Sequence, residues 1–361
     1  MLKSNKSDEL CVRLRQRIAS MKDGEAFPTV RQLMAEYNVS QSTVTPAINL
    51  LKEKGLLKAY VGRGSFVCKK ETTSPRLLLL QNNWRAEIFD LMAATLRAGA
   101  EANGFAFVHE RYDYREDITQ SLANYDADII VLDGIANDLL TPEQILAISR
   151  SPAPVILSRN SVPVRQINYV CGDNSAAGSN IANYLIRMGH RKLGLLINEP
   201  HLYTVEAYRR GFESCARANG CEITILDCEM EPGDRPDQQI EKFIADYAAG
   251  KYDFTALFPV SANGALVARR CLDQHGIRVP QDLSLISSGC ITGSDWLTVI
   301  DTGMDEYKVI IPRMAKDILE HKTNISRQIE FPQRLLERKS VRNLKLSKSP
   351  SGKLASFGML S

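Results

Sequence analysis

The sequence lacks the long apolar segments that a membrane protein needs. Nowhere in its 361 residues do about 18 apolar residues follow one another, whereas a helix that crosses a bilayer needs roughly 20. The opening stretch MLKSNKSDEL has no apolar core of the signal-peptide kind. We therefore expect no membrane span, no signal peptide and a cytoplasmic location.

Patterned cysteines and histidines are also missing. The eight cysteines include no C-x-x-C pair, and the five histidines include no i,i+4 pair. This scatter argues against zinc motifs and disulfides, and favours buried thiols in a reducing compartment. There is no Gly-x-Ser-x-Gly elbow, and Gly62-x-Gly64 is too short for a dinucleotide-binding fingerprint. The sequence therefore predicts that the protein binds no metal and no cofactor and that it is not an enzyme.

The charge that is present is unevenly placed. Hydrophobic residues make up 44% and charged residues 24%, which is typical of a globular chain, and the length predicts two or three domains. Residues 1–70 carry 13 Lys/Arg and 6 Asp/Glu, a net charge of +7, while the remainder carries 32 and 36, a net charge of −4. A basic segment of this kind indicates a polyanionic partner, although a solvated basic face is the alternative.

Hydrophobic periodicity and turn residues divide the chain into segments. Residues 1–70 are predicted to form three helices and a hairpin, with Thr29 and Ser40 as N-caps and the turn at 61–64. Residues 71–76 are predicted to be a linker and 345–361 a disordered tail. Between them, residues 77–344 show apolar runs that alternate with helical stretches, which indicates parallel sheets wrapped by helices. The eight runs begin at 77, 105, 128, 154, 193, 222, 255 and 283, and they suggest two similar α/β lobes of four strands each.

The helix that begins near Ser40 opens with a row of small hydrogen-bonding side chains. The row consists of Ser40, Gln41, Ser42, Thr43 and Thr45. Such side chains suit the tip of a helix that enters the major groove of DNA, where they bond base edges and phosphates. The alternative is that Ser40 caps the helix and the others are merely solvated. Pro46, at the sixth helical position, predicts a local widening or kink that re-aims residues 41–45.

Residues 24–67 closely resemble the GntR-type winged-helix domain of bacterial transcription regulators. The matching residues are Pro28, Arg31, Val39, Ser40, Thr43, Val44, Leu51, Gly55, Gly62, Gly64 and Phe66. The resemblance implies that Arg31 grips a phosphate, that residues 40–45 face the major groove, and that a wing with Gly62, Arg63 and Gly64 reaches the minor groove. Gln41 and Thr45 stand where the family often has Arg, which shifts the preference toward adenine or thymine contacts.

The rest of the chain resembles the LacI/GalR-type effector domain, a two-lobed periplasmic-binding-protein-like fold. Four blocks carry the resemblance, at residues 169–196, 206–220, 276–289 and 331–342. It implies a cleft for a small-molecule effector, a sugar or a derivative in the family, and a homodimer that binds a palindromic operator in double-stranded DNA. Closure of the cleft would change the distance between two DNA-binding heads.

The predicted cleft departs from the sugar-binding pattern of that family. Tyr208, Ala262 and Gly289-Cys290 stand where sugar binders place an Arg and two Asp, so an ordinary sugar is not expected. Position alone predicts the cleft residues Asn83, Trp84, Arg159, Asn160, Asp173, Tyr208, Asn263 and Trp296. Trp84 and Trp296 could stack on a ring or pack in the core, and Asp173 could instead cap a helix.

Together the two resemblances predict a DNA-binding transcription regulator of α/β fold, with a winged helix-turn-helix domain and an effector domain. Repression is the expectation from the family. Two other hypotheses stay open. The protein could be a solute-binding protein without a DNA role, or a regulator that needs no effector. The residues leave open the operator sequence, the effector and the target genes.

Overall fold

The computed structural model describes residues 6–53, 55–60, 63–68, 74–84, 86–134, 140–162, 164–321 and 326–345. They form two compact units: one holds the chain up to Pro75, and the other holds the chain from Arg76, except that 150–152 group with the first. Gly62 and residues 71–73 of the predicted linker lie outside the described residues. The predicted tail, apart from Lys345, also lies outside them.

The first unit is a three-helix domain with a small sheet. Its elements are α1 (Lys6–Ser20), β1 (Ala26–Phe27), α2 (Val30–Tyr37), α3 (Gln41–Glu53), β2 (Leu57–Tyr60) and β3 (Gly64–Val67). The strands pair antiparallel in the order β1-β3-β2. The three helices and the hairpin were predicted, whereas the pairing of β1 with β3 was not, because two residues are too few to show a period.

Two local signals set the ends of α2, as the sequence predicted. The Thr29 hydroxyl accepts a hydrogen bond from the Gln32 amide, and the Gln32 side chain accepts one from the Thr29 amide. This capping box satisfies two donors that the helix start leaves free. Asn38 ends the helix in the left-handed region at φ 50°. Leu33 of α2 then packs with Leu14 and Leu51 in the core of the unit.

The first lobe of the second unit is built on a parallel six-stranded sheet. Its elements are β4 (Arg76–Asn82), α4 (Glu87–Ala102), β5 (Ala106–Tyr112), a 3-10 helix (Ile118–Asn124), β6 (Ile129–Asp133), α5 (Pro142–Ser149), β7 (Val155–Ser158), β8 (Asn168–Gly172), α10 (Met304–His321) and β14 (Gln328–Phe331). The strand order is β14-β8-β7-β6-β4-β5. Strands such as β6 and β7 are buried along their whole length, as expected where both faces of a sheet are covered.

The second lobe repeats this plan. Its elements are α6 (Asn174–Arg187), β9 (Lys192–Ile197), α7 (Tyr203–Ala218), β10 (Glu222–Asp227), α8 (Asp237–Ala248), β11 (Ala256–Pro259), α9 (Ala262–Gln274), β12 (Ser284–Ser288), β13 (Thr298–Asp301) and β15 (Arg334–Leu336). The strand order is β10-β9-β11-β12-β13-β15, and only β15 runs antiparallel to its neighbour. The described chain passes between the lobes three times, at residues 172–174, 301–304 and 331–334.

Each sheet has six strands, so the predicted four per lobe was too few. All eight predicted runs are strands, and the additional ones are β8, β13, β14 and β15. None of these four follows the strand–helix alternation from which the lobes were predicted. β8 and β13 follow their neighbours through loops, and β14 and β15 flank a crossing between the lobes. A prediction based on that alternation therefore missed them.

Buried polar groups in the second lobe include one histidine, His190. It is 1% exposed, its Nδ1 lies 2.8 Å from the Thr255 hydroxyl, and its Nε2 lies 3.1 Å from the Arg342 carbonyl oxygen. Because a carbonyl only accepts, Nε2 carries the proton of the neutral ring. Burial lowers the pKa of His190 from 6.5 to about 4.

The lowered pKa of His190 predicts a loss of stability in mild acid. Between pH 6.5 and about 4 the unfolded chain binds a proton at this residue and the folded chain does not, so the free energy of unfolding falls as the pH falls. One pKa unit corresponds to about 1.4 kcal/mol, so we expect a loss of about 3 kcal/mol from this residue. Urea titrations across this range should show the loss in the wild type and not in His190→Gln. An equally steep fall in the variant would contradict the assignment.

None of the eight cysteines, all of which lie in the described ranges, is in a disulfide. Cys11, Cys171, Cys221, Cys228 and Cys271 are buried, and Cys68, Cys215 and Cys290 are half-buried. Cys171 illustrates the chemistry, because burial raises the pKa of its thiol to about 12. A thiol that stays protonated is a poor nucleophile and a poor metal ligand. These residues therefore serve as small apolar groups in the packing.

Candidate functional site

The start of α3 carries a cluster of hydroxyl groups. The Ser40 hydroxyl lies 2.7 Å from the Ser42 hydroxyl and 3.1 Å from the Thr43 hydroxyl. Gln41 and Ser42 are exposed, whereas Thr43 and Thr45 are half-buried. The opposite side of the helix is anchored by fully buried residues such as Val44. The helix start thus presents hydrogen-bonding groups outward from a fixed support.

Pro46 does not interrupt α3. The helix runs from Gln41 to Glu53 with Pro46 inside it, so residues 41–45 belong to the same continuous helix as the buried residues that follow. A continuous helix does not test the predicted local widening or kink, which stays a prediction. Pro46 is exposed. Because proline has no N–H, it leaves one backbone carbonyl without its helical partner. That carbonyl lies in the first turn, where α-helices are least constrained.

Arg31 and Arg63 present positive charge on the same unit. Both are exposed, and the guanidinium of neither forms an ion pair or hydrogen bond with another residue in the described part of the chain, while the Arg63 amide donates to the Tyr60 carbonyl at 3.0 Å. Gly64 has φ +93°, and nothing lies within 4 Å of where a Cβ would stand, so this end of β3 is open. Gly62, the third predicted wing residue, lies outside the described residues. Tyr60 and Phe66 brace the hairpin with rings 5.6 Å apart.

The second unit contains a cavity of about 210 Å³ between its two lobes. Its walls are mostly apolar, and five aromatic side chains take part: Trp84, Phe89, Tyr203, Tyr208 and Tyr307. The charged residues of the wall are Glu87, Arg159 and Glu199. Asn174, Thr302 and Gln333 line it from the three crossings, so anything bound there contacts both lobes and the segments that join them.

Five of the eight predicted cleft residues line this cavity. They are Trp84, Arg159, Asn160, Tyr208 and Asn263. Asn83, Asp173 and Trp296 do not line it. Asn83 is exposed beyond β4, and Asp173 caps α6 by accepting a hydrogen bond of 2.8 Å from the Ala176 amide. The Trp296 ring packs against the core of the second lobe, and its Nε1 donates to the Gly293 carbonyl at 3.1 Å.

Arg159 is held by a buried carboxylate behind the cavity wall. Its Nε and Nη2 donate to Asp133 at 2.7 and 2.9 Å, and Asp133 is fully buried. Asp133 also accepts from Gln81 and Ser158, both at 2.7 Å. The backbone of Arg159 is in the left-handed region at φ 64°, which costs a non-glycine residue about 1 kcal/mol. This geometry fixes the guanidinium 4.8 Å from the centre of the Phe89 ring.

Tyr208, which stands where sugar binders have an Arg, is tied to the crossings between the lobes. Its hydroxyl donates to the Gln333 side chain, and Gln333 donates to Asn174 at 2.6 Å. Asn174 then donates to the Cys171 sulfur at 3.6 Å. Tyr208 is 2% exposed, so it forms a fixed apolar wall. Its hydroxyl belongs to the hydrogen-bond network at the crossings between the lobes.

Sequence reasoning predicted Asn160 but missed Glu199, which brings a carboxyl group to the cavity wall. Glu199 follows β9 directly, and position at the carboxyl end of a parallel strand is a signal that could have found it. Asn160 follows β7 in the same way. Tyr307 and Gln333 gave no such signal, because they reach the cavity on segments that cross between the lobes.

Neither a metal centre nor a membrane span is found in the described part of the chain. No group of three His, Cys, Asp or Glu side chains there has the arrangement of a metal site. No helix among the described residues is both long and apolar enough to cross a bilayer.

Two segments of the chain match protein-family models. Residues 6–67 match the bacterial regulatory proteins of the gntR family, and residues 182–341 match the periplasmic binding protein-like domain. The chain therefore joins a gntR-type winged-helix domain to a two-lobed periplasmic-binding-protein-like domain. This is the architecture that both sequence resemblances predicted.

Among curated proteins, the chain is similar to transcriptional repressors. It is 31% identical over 182 residues to the HTH-type transcriptional repressor PurR of Escherichia coli O1:K1 / APEC. It is 30% identical over 178 residues to the repressor of the same name from Serratia proteamaculans (strain 568). Each match covers 47% of this chain and 50% of the relative, so the chain spans about half the length of these relatives.

Solved structures of the LacI family share the fold. A LacI transcriptional regulator from a Rhodococcus species aligns with a TM-score of 0.64 and 14% identity. A LacI family transcriptional regulator from Enterococcus faecium, with bound ribose, aligns with a TM-score of 0.61 and 18% identity. Both alignments cover 74% of this chain and 99% of the other. At these identities the likeness establishes the fold of the second unit.

Proposed function

We propose that this chain is a cytoplasmic transcription regulator, without catalytic activity, that binds DNA as a homodimer under the control of a small molecule. The observation that supports it most is the pairing of two features in one chain. A winged-helix unit presents hydroxyl, amide and guanidinium groups at the surface, and a two-lobed unit encloses a cavity at its crossings. Because the similar curated proteins named above are repressors, we propose that the regulation is repression.

In this proposal the first unit, called the head, recognises DNA in two ways. Gln41 and the hydroxyls of α3 bond base edges in the major groove, which selects sequence. Arg31 bonds a phosphate, which supplies affinity and makes it sensitive to salt. The wing with Gly62, Arg63 and Gly64 approaches the minor groove. Two heads in a two-fold dimer then select a palindromic operator whose half-sites lie about one helical turn apart, or a multiple of it.

Control by a small molecule follows from where the cavity lies. Three hydrogen bonds already join the lobes across it: Thr292 N to Glu87, Thr204 to the Arg159 carbonyl, and Ser161 with Tyr203. A ligand that contacts both lobes stabilises one arrangement about the three crossings. In a dimer, that arrangement sets the spacing available to two DNA-binding heads and so the affinity for the operator.

The roles within the head can be separated by two substitutions. We expect Arg31→Ala to weaken binding to every duplex alike, by about tenfold, and to lower the slope of log affinity against log salt by about 1. We expect Gln41→Ala to lose about 1–3 kcal/mol of discrimination at one base position while binding other duplexes normally. DNA selection with the purified full chain, followed by anisotropy titrations over a range of salt concentrations, measures both effects.

Arg13→Ala is the matched control, because Arg13 is an exposed arginine on α1, outside the helix-turn-helix motif. It should bind like the wild type. If Arg31→Ala and Gln41→Ala also bind every duplex like the wild type, the assignment of the groove-facing surface is wrong. A wild-type chain that binds no duplex but does bind a small molecule would instead be a solute-binding protein.

A further inference from the structure

Most polar groups in the cavity wall are already paired within the protein. The charge of Arg159 is balanced by the bidentate contact with Asp133. The hydroxyl of Tyr208 is taken up by Gln333, and the Ser288 hydroxyl donates to the Val260 carbonyl at 2.6 Å. A ligand would break these bonds only at a cost, because buried donors and acceptors left unpaired lose about 1–3 kcal/mol each. The wall therefore offers few free partners.

Among the polar side chains of the wall that remain available, which include Asn263 and Thr302, we consider Asn160 and Glu199. Asn160 is 7% exposed, and its amide forms no hydrogen bond with another residue in the described ranges. Glu199 lies across the cavity on the second lobe, with the Ser261 hydroxyl as its hydrogen-bonding neighbour. Burial raises the pKa of the Glu199 carboxyl above its ordinary value. A carboxylate only accepts, so Glu199 favours a ligand that donates hydrogen bonds, whereas the Asn160 amide can both donate and accept.

The shape and surface of the cavity select the body of the ligand. Five aromatic rings line a space of about 210 Å³. For scale, an engineered protein cavity of roughly 150 Å³ holds benzene. The space therefore fits one ring or two fused rings, and the aromatic faces favour a flat ring or a cationic group against them.

We propose that the effector is a small cationic amine that carries one aromatic ring or two fused rings and whose ammonium group donates to the Glu199 carboxylate. The ring packs among the aromatic side chains of both lobes, and the Asn160 amide binds a polar atom at its edge. This inference rests on the proposed function, because it names the chemical class of the molecule that the regulator senses.

The same wall disfavours the two other common ligand classes. A sugar presents hydroxyls in all directions, and these need several free acceptors and donors. Here Tyr208 replaces the expected Arg with a ring whose hydroxyl is already bonded. An anionic ligand would meet Glu199 and Glu87, while the Arg159 guanidinium is already paired with Asp133. The net charge of the wall is therefore negative, which favours a cation.

The test compares ring compounds that differ only in the sign of their charge. Benzylamine is paired with phenylacetate, and tryptamine is paired with indole-3-propionate, with ribose as the sugar probe. Each is titrated into the full chain and followed by the rise in melting temperature and by calorimetry. We expect at least one amine to bind more tightly than its carboxylate counterpart and than ribose.

Glu199→Gln isolates the contribution of the carboxylate. A hydrogen bond to a charged group contributes about 1.5–3 kcal/mol, so the variant should bind the amine about tenfold to a hundredfold more weakly. Glu222→Gln is the matched control, because Glu222 is an exposed acid on the same lobe and should leave affinity for the amine unchanged. Unchanged affinity in Glu199→Gln overturns the role of this residue.

Three outcomes separate this inference from the proposed function. If ribose or the carboxylates bind more tightly than both amines, the proposed ligand class is wrong, while the proposed function as a transcription regulator is unaffected. If no probe binds while the same sample binds DNA, the ligand class is again wrong. If an amine binds in a Glu199-dependent manner and no duplex is bound, the ligand class stands and the proposed DNA-binding function is overturned.

Discussion

Replacing Gly211 by alanine is expected to destabilise the second lobe by at least about 3 kcal/mol. Gly211 on α7 lies against the backbone of α6, and a Cβ there would overlap the Ser175 carbonyl oxygen. Gly178 on α6 makes the reciprocal contact, because a Cβ there would overlap the Tyr208 carbonyl oxygen. The two helices therefore meet through a pair of glycines, at a separation that side chains do not allow.

The direction of this effect is set by packing, because propensity predicts the opposite. Alanine in a helix is favoured over glycine by about 1 kcal/mol. Overpacking typically costs 1–3 kcal/mol and more where the obstacle is backbone, which cannot move aside as a flexible side chain can. The Ser179 hydroxyl also donates to the Gly211 carbonyl at 3.1 Å, and separating the helices would break that bond.

Urea titration of the full chain, followed by circular dichroism, measures the loss. Asn180→Ala is the control, because Asn180 is exposed on α6 and its substitution should change the free energy of unfolding by no more than about 0.5 kcal/mol. A Gly211→Ala chain as stable as the wild type would mean that the two helices lie further apart than described.

Breaking the buried Asp133–Arg159 pair is expected to cost about 3–5 kcal/mol. Removing one partner of such a pair leaves the other charge buried without compensation. In Asp133→Asn, the new amide group would also face donors, since Gln81, Ser158 and Arg159 all donate to Asp133. The guanidinium is 18% exposed, so water replaces little of what the carboxylate supplied.

The double variant Asp133→Asn with Arg159→Met separates the charge from other causes. Since it removes both charges, it should be more stable than Asp133→Asn alone, by at least about 1 kcal/mol. Asp90→Asn is the control, because Asp90 pairs with Arg111 at the surface of the same lobe, where an ion pair contributes about 1 kcal/mol or less. A double variant less stable than the single one would show that the pair matters through packing and not through charge.

Much of the fold could be predicted from local patterns. The eight apolar runs became strands because a strand covered on both faces must be apolar along its whole length. The capping of α2 by Thr29 and the turn at Asn38 are decided within a few residues, so sequence alone locates them. In the head, the spacing of Leu10, Leu14 and Ile18 likewise placed three buried residues correctly.

The candidate cavity was only partly predictable. Position after a strand correctly suggested Trp84 and Arg159, because the carboxyl ends of parallel strands share one edge of the sheet. The same reasoning placed Asn83 and Trp296 at the cleft, where they do not lie, because position along a strand says nothing about the direction in which the following loop turns. Position just after β9 would have predicted Glu199 as a cavity residue, but this reasoning was not applied there.

The sequence by itself determined the two units and the class of each, since periodicity, caps and turn residues act over a few residues. It also predicted a departure from the sugar-binding pattern, because Tyr208 stands where that pattern has an Arg. Only the tertiary structure decided which groups are free to bind. Asp133 neutralises Arg159, and Gln333 takes up the hydroxyl of Tyr208, through contacts between residues far apart in the chain. Those pairings leave Glu199 and Asn160 facing an aromatic cavity.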